Sequence, residues 1–178
     1  PYNDARVIRG QASIAIEIEK QMATMNSGPN TDLIVVPIGG GGMISGIASY
    51  TSARVVGAEP DMANDASRSK VGNTQVFNEG YPLTVADGLR TNLGSLTWPV
   101  VRDVVEDIIT VDEASIVAGT KEVHSTLKLM IEPSAGVGVA AWRKDGVAAR
   151  YDTGRTQNIV IILCGGNLDL EKFYDTYK

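Results

Sequence analysis

Cysteine and histidine are almost missing from this chain: one of each, Cys164 and His124, in 178 residues. A lone cysteine forms no internal disulfide, which suits a reducing cytoplasm. A lone histidine with no nucleophile near it argues against a Ser–His–Asp triad, and a structural role inside a helix is expected for it. Positive charge is short as well. The net charge of −5 and a sequence pI of about 4.9 argue against a nucleic-acid or anionic-membrane partner. No apolar run approaches the roughly 18 residues that a membrane helix needs. No signal peptide opens the chain, which starts on Pro1 and not on Met; a processed, cleaved or truncated product is the expectation. Internal repeats and low-complexity segments are also lacking. The remainder, 43% hydrophobic and 21% charged, is the composition of an ordinary soluble domain with its own core.

One stretch organises the rest: Asp32-Leu33-Ile34-Val35-Val36-Pro37-Ile38, then Gly39-Gly40-Gly41-Gly42, then Met43-Ile44-Ser45-Gly46. The Ile/Val-rich run reads as a buried parallel strand. Four glycines leave no side chains over the turn, so backbone N–H groups can converge on one anion. A helix starting near Met43 adds the positive end of its dipole. A Walker loop needs Lys and then Ser or Thr after its last glycine, but Ile47-Ala48 follow Gly46. The G-x-G-x-x-G fingerprint fails in every register, because Met43, Ile44 or Ser45 falls where a glycine should be. Two readings remain, a compact cradle for a single phosphate at Gly39, Gly40, Gly41, Gly42 and Met43, and a glycine-rich structural turn.

Along the chain, 1–9 reads as polar and turn-like, and 10–25 as a mostly buried helix carrying Ile14, Ile16, Ile18 and Met22. A loop is expected at Asn26-Ser27-Gly28-Pro29-Asn30, and after the glycines a helix to about Tyr50. Arg54-Val55-Val56-Gly57-Ala58 is a second strand, ending at Glu59-Pro60. A short helix over 61–70 and a loop over 71–82 follow. Ile108-Ile109-Thr110-Val111 is a third strand; Asp112 then caps a helix to about Met130. Pro133 opens another helix over 134–149. Residues 158–163 form a fourth, apolar strand, closed by Cys164-Gly165-Gly166-Asn167, and a short helix ends the chain. The alternation predicts an α/β fold, an open and mostly parallel sheet with helices on both faces. Ligands then sit beyond the carboxyl ends of the strands, which brings Gly39–Gly42, Glu59–Asp65 and Cys164–Asn167 to one rim.

Several motifs carry a family resemblance: Val7-Ile8-Arg9-Gly10-Gln11, the tetraglycine loop, Ala58-Glu59-Pro60, Ala86-Asp87-Gly88, Thr97-Trp98-Pro99, Ile131-Glu132-Pro133-Ser134-Ala135-Gly136 and Leu163-Cys164-Gly165-Gly166-Asn167. Together they resemble fold-type II pyridoxal-phosphate (PLP) enzymes, and within them the serine racemase and serine/threonine dehydratase group. The resemblance runs through nearly the whole chain, read as the C-terminal part of the large, PLP-binding domain over 1–178. It implies racemisation or β-elimination of water from serine or a related small hydroxy-amino acid. Threonine dehydratase, threo-3-hydroxyaspartate dehydratase and a non-catalytic phosphate- or cation-binding fragment are the alternatives. The family's cofactor-bearing lysine stands in an upstream Ser-Phe-Lys-type motif, and its substrate loop in a Ser-x-x-Asn segment; neither motif occurs here, so no catalytic residue is assigned and the chain alone is expected to be inactive.

For individual residues, Cys164 has two readings, a small buried hydrophobe or, by resemblance, a hydrogen bond to the pyridine nitrogen. Racemases of the group usually place Ser there, several dehydratases Cys. Glu59 and Asp65 offer hard oxygens suited to Mg²⁺, Mn²⁺ or Ca²⁺, or else the region is a helix start capped by Asp61 or Asn64. The resemblance makes Glu59, the Ala63 carbonyl and Asp65 the metal ligands. Glu132, Thr91 and Asn92 are placed near the cofactor and substrate by analogy, and a homodimer and a nucleotide effector are implied in the same way.

Overall fold

The computed structural model describes residues 1–25, 30–144 and 147–177. The loop expected at Asn26-Ser27-Gly28-Pro29 lies outside the described residues. Four strands, β1 (Leu33–Pro37), β2 (Arg54–Pro60), β3 (Asp107–Val111) and β4 (Ile159–Ile161), pair in parallel in the order β3-β2-β1-β4. Every β1 residue is buried, as a strand covered on both faces requires. Its side chains alternate between two cores. Ile34 and Val36 join Ile44, Ile47, Trp98 and Val101, whereas Leu33 and Val35 join Ile116, Val137 and Ala141.

Those partners come from the helices. On one face lie α1 (Ala5–Thr24), α2 (Gly42–Tyr50), α3 (Asp65–Gly72) and α4 (Trp98–Asp103). On the other lie α5 (Glu113–Thr126), α6 (Pro133–Arg143) and α7 (Val147–Tyr151), and α8 (Leu170–Thr176) packs its aromatic residues around His124 of α5. The result is the three-layer α/β/α arrangement expected from the alternation. Among the described residues, no helix is long and apolar enough to cross a membrane.

Local differences from the expected elements have physical causes. The first helix begins at Ala5 rather than Gly10, because the Asp4 carboxylate caps it by accepting the Arg6 N–H at 2.9 Å. It is also a covering helix and not a buried one: only Ala15 is fully buried, with Ile14 and Ile18 packed partly against the core. The helix expected over 61–70 divides into a single 3₁₀ turn, Asp61–Ala63, and α3. α5 stops at Thr126, short of Met130, where Lys128 takes a left-handed φ of 58°. The helix expected from Ser134 to Ala149 is cut after Arg143, where Lys144 turns to an extended ψ of 134°. α4 was not anticipated; Pro99 fits its first turn. β4 is shorter than expected and only half buried, since β1 is its one partner strand among the described residues.

Candidate active site

The strand order runs 3-2-1 and then jumps to 4, so the chain reverses its direction of progress between β1 and β4. In an open parallel sheet the crevice at such a reversal, at the carboxyl ends of the strands, is where ligands bind. The loops leaving those two strands are Gly39–Gly42 and Cys164–Asn167. Glu59 stands one residue before the end of the next strand, β2, so the three segments predicted to share a rim do so.

The glycine loop is buried throughout, with Met43 half-buried at the start of α2. Gly41 has φ +84°, a left-handed conformation that glycine adopts without strain. Side chains wall the loop closely. A Cβ on Gly39 would stand 3.0 Å from Thr91 Oγ1, one on Gly40 2.3 Å from the Tyr2 ring, and one on Gly41 2.9 Å from Leu93 and Thr97. Two of its carbonyls are engaged: Gly40 O accepts from the Thr97 hydroxyl at 2.7 Å, and Gly41 O takes the Ser45 N–H at 3.0 Å. Its donors are not. Among the described residues, the N–H groups of Gly39, Gly40, Gly41, Gly42 and Met43 meet no acceptor. Buried backbone donors are nearly always paired. A consecutive row of orphans at a helix N-terminus is therefore a fitted place for an anion, and a plain structural turn leaves them unexplained.

The second cluster is built of acceptors. Glu59 and Asp65 are both fully buried. Glu59 spreads its two oxygens over the Ala66 and Ser67 N–H groups, each at 2.9 Å, and so caps α3 from the preceding strand. Capping by Asp61 or Asn64, the bland expectation, does not occur: Asn64 sits at the N-cap but its side chain makes no capping bond. Asp65 accepts from Asn78 Nδ2 and from the Leu93 N–H, each at 2.8 Å. Burial pushes the Glu59 carboxyl up to about 8, against the pull of its two N–H bonds and with a further push from the Asp65 charge. Asp65 is raised too, chiefly by burial. Arg68 is a cation acting on both, and it is committed to Asn64, Asn78 and the Phe77 carbonyl. Among the described residues, no three His, Cys, Asp or Glu side chains group as metal ligands; a cation here would take two carboxylates and a main-chain carbonyl such as that of Ala63. Two buried, mutually repelling carboxylates with little compensating charge suit a hard divalent cation.

Cys164 is exposed, which overturns the reading of a buried hydrophobe. Beside it, Gly165 has φ +91°, and a Cβ there would strike the Glu132 carboxylate at 2.5 Å. Glu132 holds this turn at two points: its N–H donates to Gly165 O at 3.1 Å, and its Oε2 accepts the Asn167 N–H at 2.9 Å. The carboxylate also lies 3.4 Å from where a Gly88 Cβ would be, so Glu132 bridges the two loops at the mouth. Thr91 does approach the glycine loop, whereas Asn92 turns away, accepting the Asn78 N–H at 2.7 Å. His124 is structural as expected, bonded to Ile131 O at 2.8 Å and to the Tyr174 hydroxyl at 3.1 Å. Tyr2 and Thr97 were not anticipated as parts of the site. Only the Thr97-Trp98-Pro99 motif pointed to either.

Comparison with known proteins agrees with this geometry. The profile of the family "Pyridoxal-phosphate dependent enzyme" matches residues 1–165. The chain is 42% identical over 183 residues to serine racemase of Arabidopsis thaliana, covering 100% of this chain and 53% of that protein. It is 40% identical over 178 residues to the beta-hydroxyaspartate dehydratase of Paracoccus denitrificans (strain Pd 1222), covering 97% of this chain and 52% of the relative. The solved structure of maize serine racemase superposes with a TM-score of 0.83 at 39% identity, over 95% of this chain and 51% of that one. The chain thus spans about half the length of the curated relatives it matches. The strand–tetraglycine–helix rim and these matches have one common source: the chain belongs to the family of pyridoxal-phosphate-dependent enzymes.

Proposed function

We propose that this chain is the phosphate-binding part of an enzyme that racemises serine, or dehydrates serine or a related small hydroxy-amino acid, with PLP as cofactor. The observation that carries the reading is the row of buried, unpartnered N–H groups from Gly39 to Met43 at the sheet's reversal point. Those donors hold the cofactor phosphate, with the α2 dipole behind them. When bound, PLP supplies an electron sink for charge developing at the substrate Cα. Cys164, at the end of β4, donates a weak thiol hydrogen bond to the ring nitrogen and leaves it unprotonated, whereas a carboxylate there would hold a proton on the ring. Glu59, the Ala63 carbonyl and Asp65 hold one Mg²⁺, Mn²⁺ or Ca²⁺, with water completing about six oxygen ligands. A homodimer and a nucleotide effector belong to the same reading.

Dehydration has its own support, in the cysteine at position 164 and the 40% identity to a beta-hydroxyaspartate dehydratase. The motif of the cofactor-bearing lysine is absent from these 178 residues. The chain alone, given PLP and Mg²⁺, is therefore expected to turn over neither serine nor threonine, and borohydride reduction should label no single lysine stoichiometrically. One lysine labelled stoichiometrically, with turnover of serine, refutes this part of the reading. A longer polypeptide containing this chain and the lysine motif, assayed on L-serine, L-threonine and threo-3-hydroxyaspartate, should yield D-serine or a keto acid; neither product from any substrate refutes the activity.

A further inference from the structure

One hydroxyl holds the tetraglycine loop from the side. The Thr97 hydroxyl accepts the Gly94 N–H at 2.9 Å and donates to Gly40 O at 2.7 Å. Its alternative acceptor, Gly94 O, is farther off at 3.2 Å and already takes the Trp98 N–H. Thr97 is wholly buried, so bulk water cannot substitute for it. The turn that carries it is anchored at its other end, where the Leu93 N–H donates to Asp65 Oδ2 at 2.8 Å.

Peptide geometry gives this contact a consequence. No described peptide bond is cis, and in a trans peptide the C=O and N–H point in opposite directions. Fixing the Gly40 carbonyl toward Thr97 therefore turns the Gly41 N–H away from the 93–97 turn, where no described acceptor meets it. The Thr97 and Leu93 side chains, each 2.9 Å from a Cβ built on Gly41, close off that same flank.

We propose that Thr97 is a positioning residue of the anion cradle, its buried hydroxyl orienting the Gly40–Gly41 peptide so that the Gly41 N–H donates to the bound phosphate. The inference rests on the reading of the glycine loop as a phosphate site and adds the side chain that aims it. In Thr97→Val the shape is kept but the hydroxyl is lost. The Gly94 N–H, 3.4 Å from Gly40 O, is then the carbonyl's remaining donor in that turn, a longer and weaker hold than the 2.7 Å hydroxyl bond, so the peptide is less firmly fixed.

The test is an amide-resolved NMR titration of the ¹⁵N-labelled chain with inorganic phosphate and with pyridoxine 5′-phosphate, whose alcohol cannot condense with lysine. In the wild type the Gly41 amide should shift with the bound fraction. Thr97→Val should weaken binding about tenfold, the scale of one hydrogen bond, and lose that shift, while Thr97→Ser should restore both. Equal binding with an unchanged Gly41 shift in Thr97→Val overturns the role of Thr97 and leaves the phosphate site standing. So does failure of Thr97→Ser to rescue. A wild type in which the neighbouring amides respond and Gly41 does not overturns it without any variant. A wild type in which no amide from Gly39 to Met43 responds overturns the phosphate reading and this inference together.

Discussion

Two buried polar clusters follow neighbouring strands of one sheet, and they are electrostatic opposites. After β1, the glycine loop offers donors that meet no acceptor among the described residues. After β2, Glu59 and Asp65 offer acceptors that already have donors and lack compensating charge. The first is made of backbone, so its donors are the same at any pH and need only the absence of side chains. The second is made of titratable side chains, so it is stable without a ligand only when a proton or a cation neutralises it. One cluster is legible as a pattern of glycines; the other requires knowing what surrounds each carboxylate.

The largest expected effect on this contrast comes from filling the donor cluster. Gly41→Ala places a Cβ at φ +84° and 2.9 Å from Leu93 and Thr97. Left-handed strain alone costs about 1–2 kcal/mol, and binding of pyridoxine 5′-phosphate should fall at least tenfold. At Gly40 the nearest atoms to a new Cβ all belong to the Tyr2 ring, a residue 38% exposed, and φ is not left-handed, so Gly40→Ala should be milder. Calorimetric titration and melting of both variants check the order; a milder Gly41→Ala would contradict it.

Emptying the acceptor cluster comes next. Asp65→Ala strands the buried Leu93 N–H, a loss of about 1–3 kcal/mol, and removes the partner of the half-buried Asn78 amide. It should also abolish the rise in melting temperature produced by Mg²⁺. An Asp65→Ala variant that still responds to Mg²⁺ removes Asp65 from the cation site.

Proton linkage gives a third, smaller effect. Glu59 is raised in the fold from an ordinary 4.5 to about 8, chiefly by burial. A raised carboxyl binds its proton more tightly in the folded chain, so its contribution to stability is full below about pH 4.5, is lost as pH rises to about 8, and changes no further above that. Denaturant midpoints should therefore decline between pH 5 and 8 in chelator, and saturating Mg²⁺ should flatten the decline. A flat profile in chelator would show that the fold stabilises the Glu59 anion already.

The smallest effect concerns Cys164. Being exposed, it should react readily with a maleimide in the free chain, and pyridoxine 5′-phosphate should slow that reaction if the thiol faces the ring. Equal rates with and without the ligand would separate Cys164 from the cofactor.

Much of this was written in the chain order. The Ile/Val run before Gly39 reads as a strand buried on both faces, and glycines following it leave backbone donors bare. Period and composition likewise announced the parallel α/β fold. Individual helix ends were less legible, because they turn on single residues and not on period or composition. Asp4 extends α1 into a stretch that reads as polar turn, while Lys128 and Lys144 break α5 and α6 through backbone angles that no composition rule assigns to lysine.

What the sequence determined by itself was the fold class and the run of bare backbone after β1, since both depend on hydrophobic period and on side chains that are missing. Tertiary structure alone decided three things: that Glu59 rather than Asp61 or Asn64 caps α3, that Glu132 grips the turn after Cys164, and that Thr97 holds the Gly40 carbonyl. The last two join residues 35 and 57 positions apart through bonds of 2.9 and 2.7 Å, and the first ties a strand to the helix after it across seven positions at 2.9 Å. Only packing of the finished layers can bring a donor and an acceptor to that distance.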